Sequence, residues 1–198
     1  MVAKGQFLER PTLIPVGGVV MEGLSHRGTR RPLLLVLSPT PAEGGGMDHV
    51  VGAELAWAAS HAGYPTLRFN WRGVGASQGN RGSHASLIED ARAAIEVARD
   101  NGGQTPFLAS IGGACRVALE LEEEVAGICL VSPIEIEVSA LHRPGVWVVV
   151  AERDLSEPLK VATGRVHVVP HADRTFQKNL PRVGKAVVEC LNASETLQ

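Results

Sequence analysis

Cysteine is scarce: Cys115, Cys129 and Cys190 are the only three in 198 residues. So few, and an odd number, cannot make a disulfide framework, so the fold is expected to rest on its core in a reducing setting, most simply the cytoplasm. Aromatic residues make up only 4%, and the core must therefore be assembled from Val, Leu, Ile and Ala. No charge of one sign dominates. Nineteen Lys and Arg face 21 Asp and Glu, a formal net charge of −2. That balance argues against nucleic acid as a partner, which needs a basic face to release counterions from phosphates. No apolar run approaches the roughly 18 to 20 residues of a membrane span. The opening MVAKGQFLERP contains no apolar signal core, so export and a membrane partner are not expected. Internal repeats, low-complexity segments and dividing linkers are also missing.

What remains is an ordinary globular composition, 44% hydrophobic and 20% charged. The length fits one domain, expected over residues 1–192, with 193–198 as a frayed tail. Short runs rich in Val, Leu and Ile predict strands at Leu33–Leu37, Thr66–Asn70, Pro106–Ser110, Gly127–Val131, Val146–Ala151 and Val166–Val169. These runs are continuous rather than alternating, as in strands covered on both faces. Ahead of them, Leu13–Ser25 reads as edge strand broken at Gly17-Gly18. Helical periodicity predicts Val50–Ala62, His84–Arg99 behind an N-capping Ser83, Gly113–Glu123, Glu157–Thr163, and Leu180–Leu191 with Pro181 in its first turn. Such alternation gives an α/β fold, a mostly parallel sheet of about seven or eight strands with helices on both faces. Ligands in such sheets bind at the carboxyl ends of the strands, near the switch in strand order. The loops after Leu37, Asn70, Ser110, Ala151 and Val169 are therefore where chemistry is to be sought.

Those loops contain Ser38–Asp48 with Gly44-Gly45-Gly46, then Trp71–Gly79, then Ser110-Ile111-Gly112-Gly113-Ala114 leading straight into a helix. The last two contain Glu152-Arg153-Asp154 and His171–Phe176. Here the sequence resembles the α/β-hydrolase superfamily, in particular its small, capless bacterial branch, over roughly residues 30–191. Leu67–Gly79, LRFNWRGVGASQG, is similar to that branch's L-R-F-N-F-R-G-V-G-x-S-x-G. Glu43–Val51, EGGGMDHVV, is similar to its Gly-Gly-x-Met-Asp-Asn stretch. Ala151–Pro158 resembles the strand end that supplies the catalytic acid, and His171–Phe176 the turn that supplies the histidine. No cap fits between Val131 and Val146, and the resemblance implies neither a cofactor nor a metal site.

The catalytic positions depart from the family. Its elbow, F-L-A-G-F-S-F-G-A-Y-V-A, aligns without a gap to Phe107–Ala118, and the nucleophile position falls on Gly112, which has no side chain. The histidine position falls on Arg174, and only the acid, Asp154, remains. Gly75-Ala76-Ser77-Gln78-Gly79 satisfies G-x-S-x-G as a string, but Gln78–Gly82 is turn-forming, whereas a nucleophile elbow needs a helix at once. Cys115, Cys129 and Cys190 read as small hydrophobic residues.

Two readings follow. In the first, the degenerate positions Gly112, Asp154 and Arg174 mean that serine-hydrolase catalysis is lost and the fold serves as a binding or interaction module. Arg174 is then expected within salt-bridge reach of Asp154. The free N–H groups that open the helix at Gly113, with Ser38, Thr40 and Arg174 alongside, would form a pocket for a small molecule or anion; a protein partner is the other option. In the second reading, a shifted elbow presents Ser110 as nucleophile, with His171 as base and Asp154 as acid, in an esterase or acyl hydrolase.

Overall fold

The computed structural model describes residues 7–134, 137, 139–140, 143–156 and 165–195. The fold opens with a hairpin, β1 (Arg10–Val16) antiparallel to β2 (Val19–His26), turning through Gly17 and Gly18 at φ of 52° and 84°. Positive φ at both central residues is what a type I′ hairpin turn demands, so the glycine pair marks a turn between two strands. Both Pro11 and Pro15 lie in β1, which pairs with β2 along its whole length. Six short strands follow: β3 (Leu34–Leu37), β4 (Thr66–Phe69), β5 (Phe107–Ile111), β6 (Gly127–Val131), β7 (Val146–Ala151) and β8 (Val166–Val169). Together the eight make one sheet in the order β1-β2-β4-β3-β5-β6-β7-β8, with β2 antiparallel to β4 and every later pairing parallel.

Helices α1 (Val50–His61) and α4 (Leu180–Glu195) cover one face, and α2 (His84–Gly102) and α3 (Ala114–Glu120) cover the other. Side chains alternate between them along each strand: Leu34 and Val36 pack under α1, Leu35 and Leu37 under α2. Every residue of β3 through β7 is buried, which is why these strands read as continuous apolar runs. The chain crosses from β3 to β4 on one side and from β4 to β5 on the other, so order reverses between β3 and β5. A crevice is placed at their carboxyl ends. Only 14 residues connect Val131 to Val146, and no cap domain is inserted there.

Several boundaries differ from expectation for local reasons. α2 runs on to Gly102 and stops where Gly103 adopts φ of 68°, a left-handed helix end. α3 ends at Glu120 rather than 123 because Glu122, Glu123 and Glu124 would load negative charge on the negative helix end; they form a 3-10 turn instead. α4 continues to Glu195, through residues expected to fray. Arg30 donates to Asn192 Oδ1 (2.8 Å) and Glu195 Oε2 (2.6 Å), and Tyr64 donates to the same Asn192 oxygen (2.9 Å). The expected helix at 157–163 lies outside the described residues. Among those described, no helix is long and apolar enough to cross a membrane.

Candidate functional site

The carboxyl-end crevice is built on the turn from β5 into α3. Gly112 sits at its tip with φ of 61°, its N–H bonded to Val131 O (3.0 Å). Helical bonding begins at once, from Cys115 N–H to Gly112 O (3.2 Å). This is the sharp strand-to-helix turn of a nucleophile elbow, and the residue at the tip has no side chain.

The space that a side chain at the tip would use is filled from elsewhere. A Cβ on Gly112 would lie 2.6 Å from Glu43 Oε1, and one on Gly113 would lie 2.7 Å from Glu43 Oε2. The Glu43 carboxylate accepts the Gly113 N–H through both oxygens (3.1 Å each). Its Oε2 also accepts the Thr40 N–H (2.9 Å) and Thr40 Oγ (2.8 Å). In an active elbow, the amide after the nucleophile and an amide from the loop after β3 stabilise the oxyanion. Here the corresponding two amides, Gly113 and Thr40, hold the chain's own carboxylate. Gly44, at φ of 73°, ends the short turn Pro41–Glu43 that brings this side chain over the elbow.

This corrects the expected anion pocket: the Gly113 and Thr40 donors are engaged from within. Ser38, expected in that pocket, is buried with its hydroxyl toward Gly52 of α1, where an added Cβ would lie 3.4 Å away. Glu43 was missed, although it stood in the EGGGMDHVV stretch. Nothing local signals that a carboxylate there reaches an amide 70 residues on. His49, in the same stretch, was missed too. Its Nδ1 is buried with no hydrogen-bond partner, and burial, against the opposing charge of Glu43, holds its pKa below the usual value.

Arg174 and Asp154 come together as expected. Arg174 Nη2 lies 3.8 Å from Asp154 Oδ1, an ion-pair contact through one nitrogen rather than the bidentate fork. The other oxygen, Asp154 Oδ2, is buried without a partner. A triad histidine would be oriented by this carboxylate. The guanidinium instead extends outward, its side chain 65% exposed.

The shifted elbow with Ser110 is not assembled. β5 begins at Phe107 and ends at Ile111, one residue later than expected, which keeps Ser110 inside the strand and fully buried. Its hydroxyl meets Cys115 Sγ (3.5 Å), whose own pKa burial pushes up to about 12. His171 is on the surface at φ of 58°, its ring 3.4 Å from Glu152 and its side chain 86% exposed. Among the described residues no imidazole bonds the Ser110 hydroxyl.

The family-like LRFNWRGVGASQG stretch does structural work instead. Asn70 accepts the Met47 N–H (2.7 Å) and donates to Glu22 (2.7 Å). Ser77 donates to Asn70 O (2.8 Å) and accepts the Glu22 N–H (3.0 Å), so this buried serine ties β2 to β4. Arg72 donates to the buried Asp90 (2.6 Å), fixing α2 to the loop after β4. Among the described residues no group of three or more His, Cys, Asp or Glu is placed to hold a metal.

Residues 42–163 match the serine aminopeptidase S33 family. A 104-residue stretch is 36% identical to an uncharacterised protein of Mycobacterium tuberculosis; it covers 49% of this chain and only 37% of that relative. Across the fold, an alpha-beta serine hydrolase homologue from Coxiella burnetii superposes with a TM-score of 0.77 at 23% identity, covering 92% of this chain and 97% of the other. A serine hydrolase without lid from Xanthomonas campestris gives 0.77 at 19% identity, covering 93% and 94%.

Proposed function

The chain belongs to the serine aminopeptidase S33 family, within the capless α/β hydrolases, and from that premise we propose that it has lost serine-hydrolase catalysis and serves as a binding or interaction module. The observation that carries this reading is the Glu43 carboxylate, lying where a nucleophile's side chain would project from the tip at Gly112. Two further features support it. A guanidinium stays protonated at ordinary pH, so Arg174 cannot take a proton from a hydroxyl. The amides of Gly113 and Thr40 are already bonded to a full negative charge. Removing a nucleophile or base from such a unit costs about six decades in turnover. The residual three to four decades that an oxyanion site can supply over water need that site to be vacant. A small molecule, an anion or a protein partner is therefore taken elsewhere on the surface.

The test is fluorophosphonate labelling of the purified protein beside short-chain nitrophenyl ester hydrolysis, with Ser110→Ala and Ser77→Ala as controls. The expected result is no labelling and background turnover. Labelling abolished by either substitution would overturn the proposal.

A further inference from the structure

We propose that the cavity at the amino-terminal end of the sheet, opposite the elbow, binds a small organic anion: an oxyanion group, phosphoryl or carboxylate, on a compact apolar body. The cavity is about 530 Å³, within the few hundred to a thousand Å³ usual for small-molecule sites. It opens where the end of β2 meets the starts of β3 and β4. Arg10, Arg27 and Arg31 lie around it, and among the described residues no Asp or Glu lines it.

That concentration is not inherited from composition, because the chain as a whole carries a formal charge of −2. Several other arginines of this surface are neutralised by pairing. Arg30, Arg92, Arg99 and Arg143 each lie within 2.8 Å of a glutamate. Among the described residues, Arg27 and Arg31 have no carboxylate partner, and the Arg31 guanidinium donates to a carbonyl, Arg30 O (2.9 Å). Cations gathered on one concave surface repel one another, and the cleft focuses their field on whatever enters. Guanidinium groups suit carboxylate and phosphoryl oxygens alike because they donate in a planar fork. The apolar part of the wall, including Leu33 and Pro65, gives such a ligand's body a surface to cover. The proposal is independent of the elbow: it would stand unchanged if Glu43 proved displaceable.

The experiment is calorimetric titration of the full chain with phenyl phosphate, benzoate and inorganic phosphate as separate probes. Phenyl phosphate or benzoate is expected to bind, and whichever is tighter identifies the oxyanion. Arg27→Ala and Arg31→Ala are each expected to weaken that probe about tenfold, the scale of one charge-assisted bond. Arg182→Ala, on α4 and away from the cavity, is expected to leave it unchanged. Arg27 and Arg31 are exposed, and matching melting temperatures will show that all variants fold. No binding of either organic probe in the millimolar range would overturn the proposal, as would binding that survives Arg27→Ala/Arg31→Ala. Inorganic phosphate binding as tightly as phenyl phosphate would overturn the organic ligand.

Discussion

Replacing Glu43 by alanine and Gly112 by alanine, singly and together, tests whether one carboxylate occupies the elbow. Glu43→Ala removes a side chain that accepts two N–H groups and one hydroxyl. The donors are near solvent, and water replaces part of what is lost. At about 0.5 to 1.5 kcal/mol net per bond, discounted for exposure, the expected cost is about 1.5 kcal/mol. Gly112→Ala meets two costs. A left-handed backbone at φ of 61° costs an L-residue roughly 1 to 2 kcal/mol. The new Cβ also falls 2.6 Å from Glu43 Oε1. A glutamate tip can swing away, so the second cost is not backbone strain but loss of the Glu43 bonds, again about 1.5 kcal/mol. The double variant loses those bonds only once. It is therefore expected to be less destabilised than the sum of the singles by about 1.5 kcal/mol, well above the few tenths seen for independent sites. Urea unfolding monitored by circular dichroism reads this directly. With a slope near 2 kcal/mol per molar, Glu43→Ala should lower the midpoint by about 0.7 M with the slope unchanged. Additive effects, or a Glu43→Ala midpoint equal to wild type, would mean that the carboxylate does not fill the elbow.

Two other perturbations probe the surrounding framework. Arg72→Met leaves the buried Asp90 carboxylate, among the described residues, with only the backbone N–H of residue 72 (3.1 Å) and should cost about 3 kcal/mol in the same unfolding assay, while Arg72→Met/Asp90→Leu should recover much of it; a loss below about 1 kcal/mol would refute that account. On the pH axis, burial lowers the pKa of both His26 and His49. The unfolded chain then takes up protons near pH 6.5 while the folded chain resists. Stability from these two groups falls as pH drops through that value, and stops falling below their folded pKa values. Melting temperatures between pH 7.5 and 5 should fall more steeply for wild type than for His26→Gln/His49→Gln, and equal slopes would sink the assignment.

The layered fold could be read from the chain because burial on both faces leaves a signature in the residues themselves. The strands at Gly127–Val131, Val146–Ala151 and Val166–Val169 fall where their apolar runs do. Ends were harder, since they depend on distant partners: nothing within residues 192–195 announces that Arg30 and Tyr64 will hold them in a helix. At the site, the tip at Gly112 and the meeting of Asp154 with Arg174 followed from aligning motifs, because each motif belongs to one loop. The filling of the elbow did not. Glu43 and Gly113 lie on different loops, and only the adjacency of β3 and β5 brings them together. The buried fate of Ser110 turned on a one-residue shift in β5, a distance that periodicity does not resolve.

The prolines of β1 decide how this protein can meet others. Since β1 keeps its full ladder with β2, the N–H groups missing at Pro11 and Pro15 are missing from the free edge of the sheet. An incoming strand would find carbonyls there but too few donors to zip against, and the opposite edge, β8, offers only four residues. Recognition by sheet extension, whether of a peptide or of a second copy, is blunted at both ends. The surfaces left open to contact are its loops, helices and cavities.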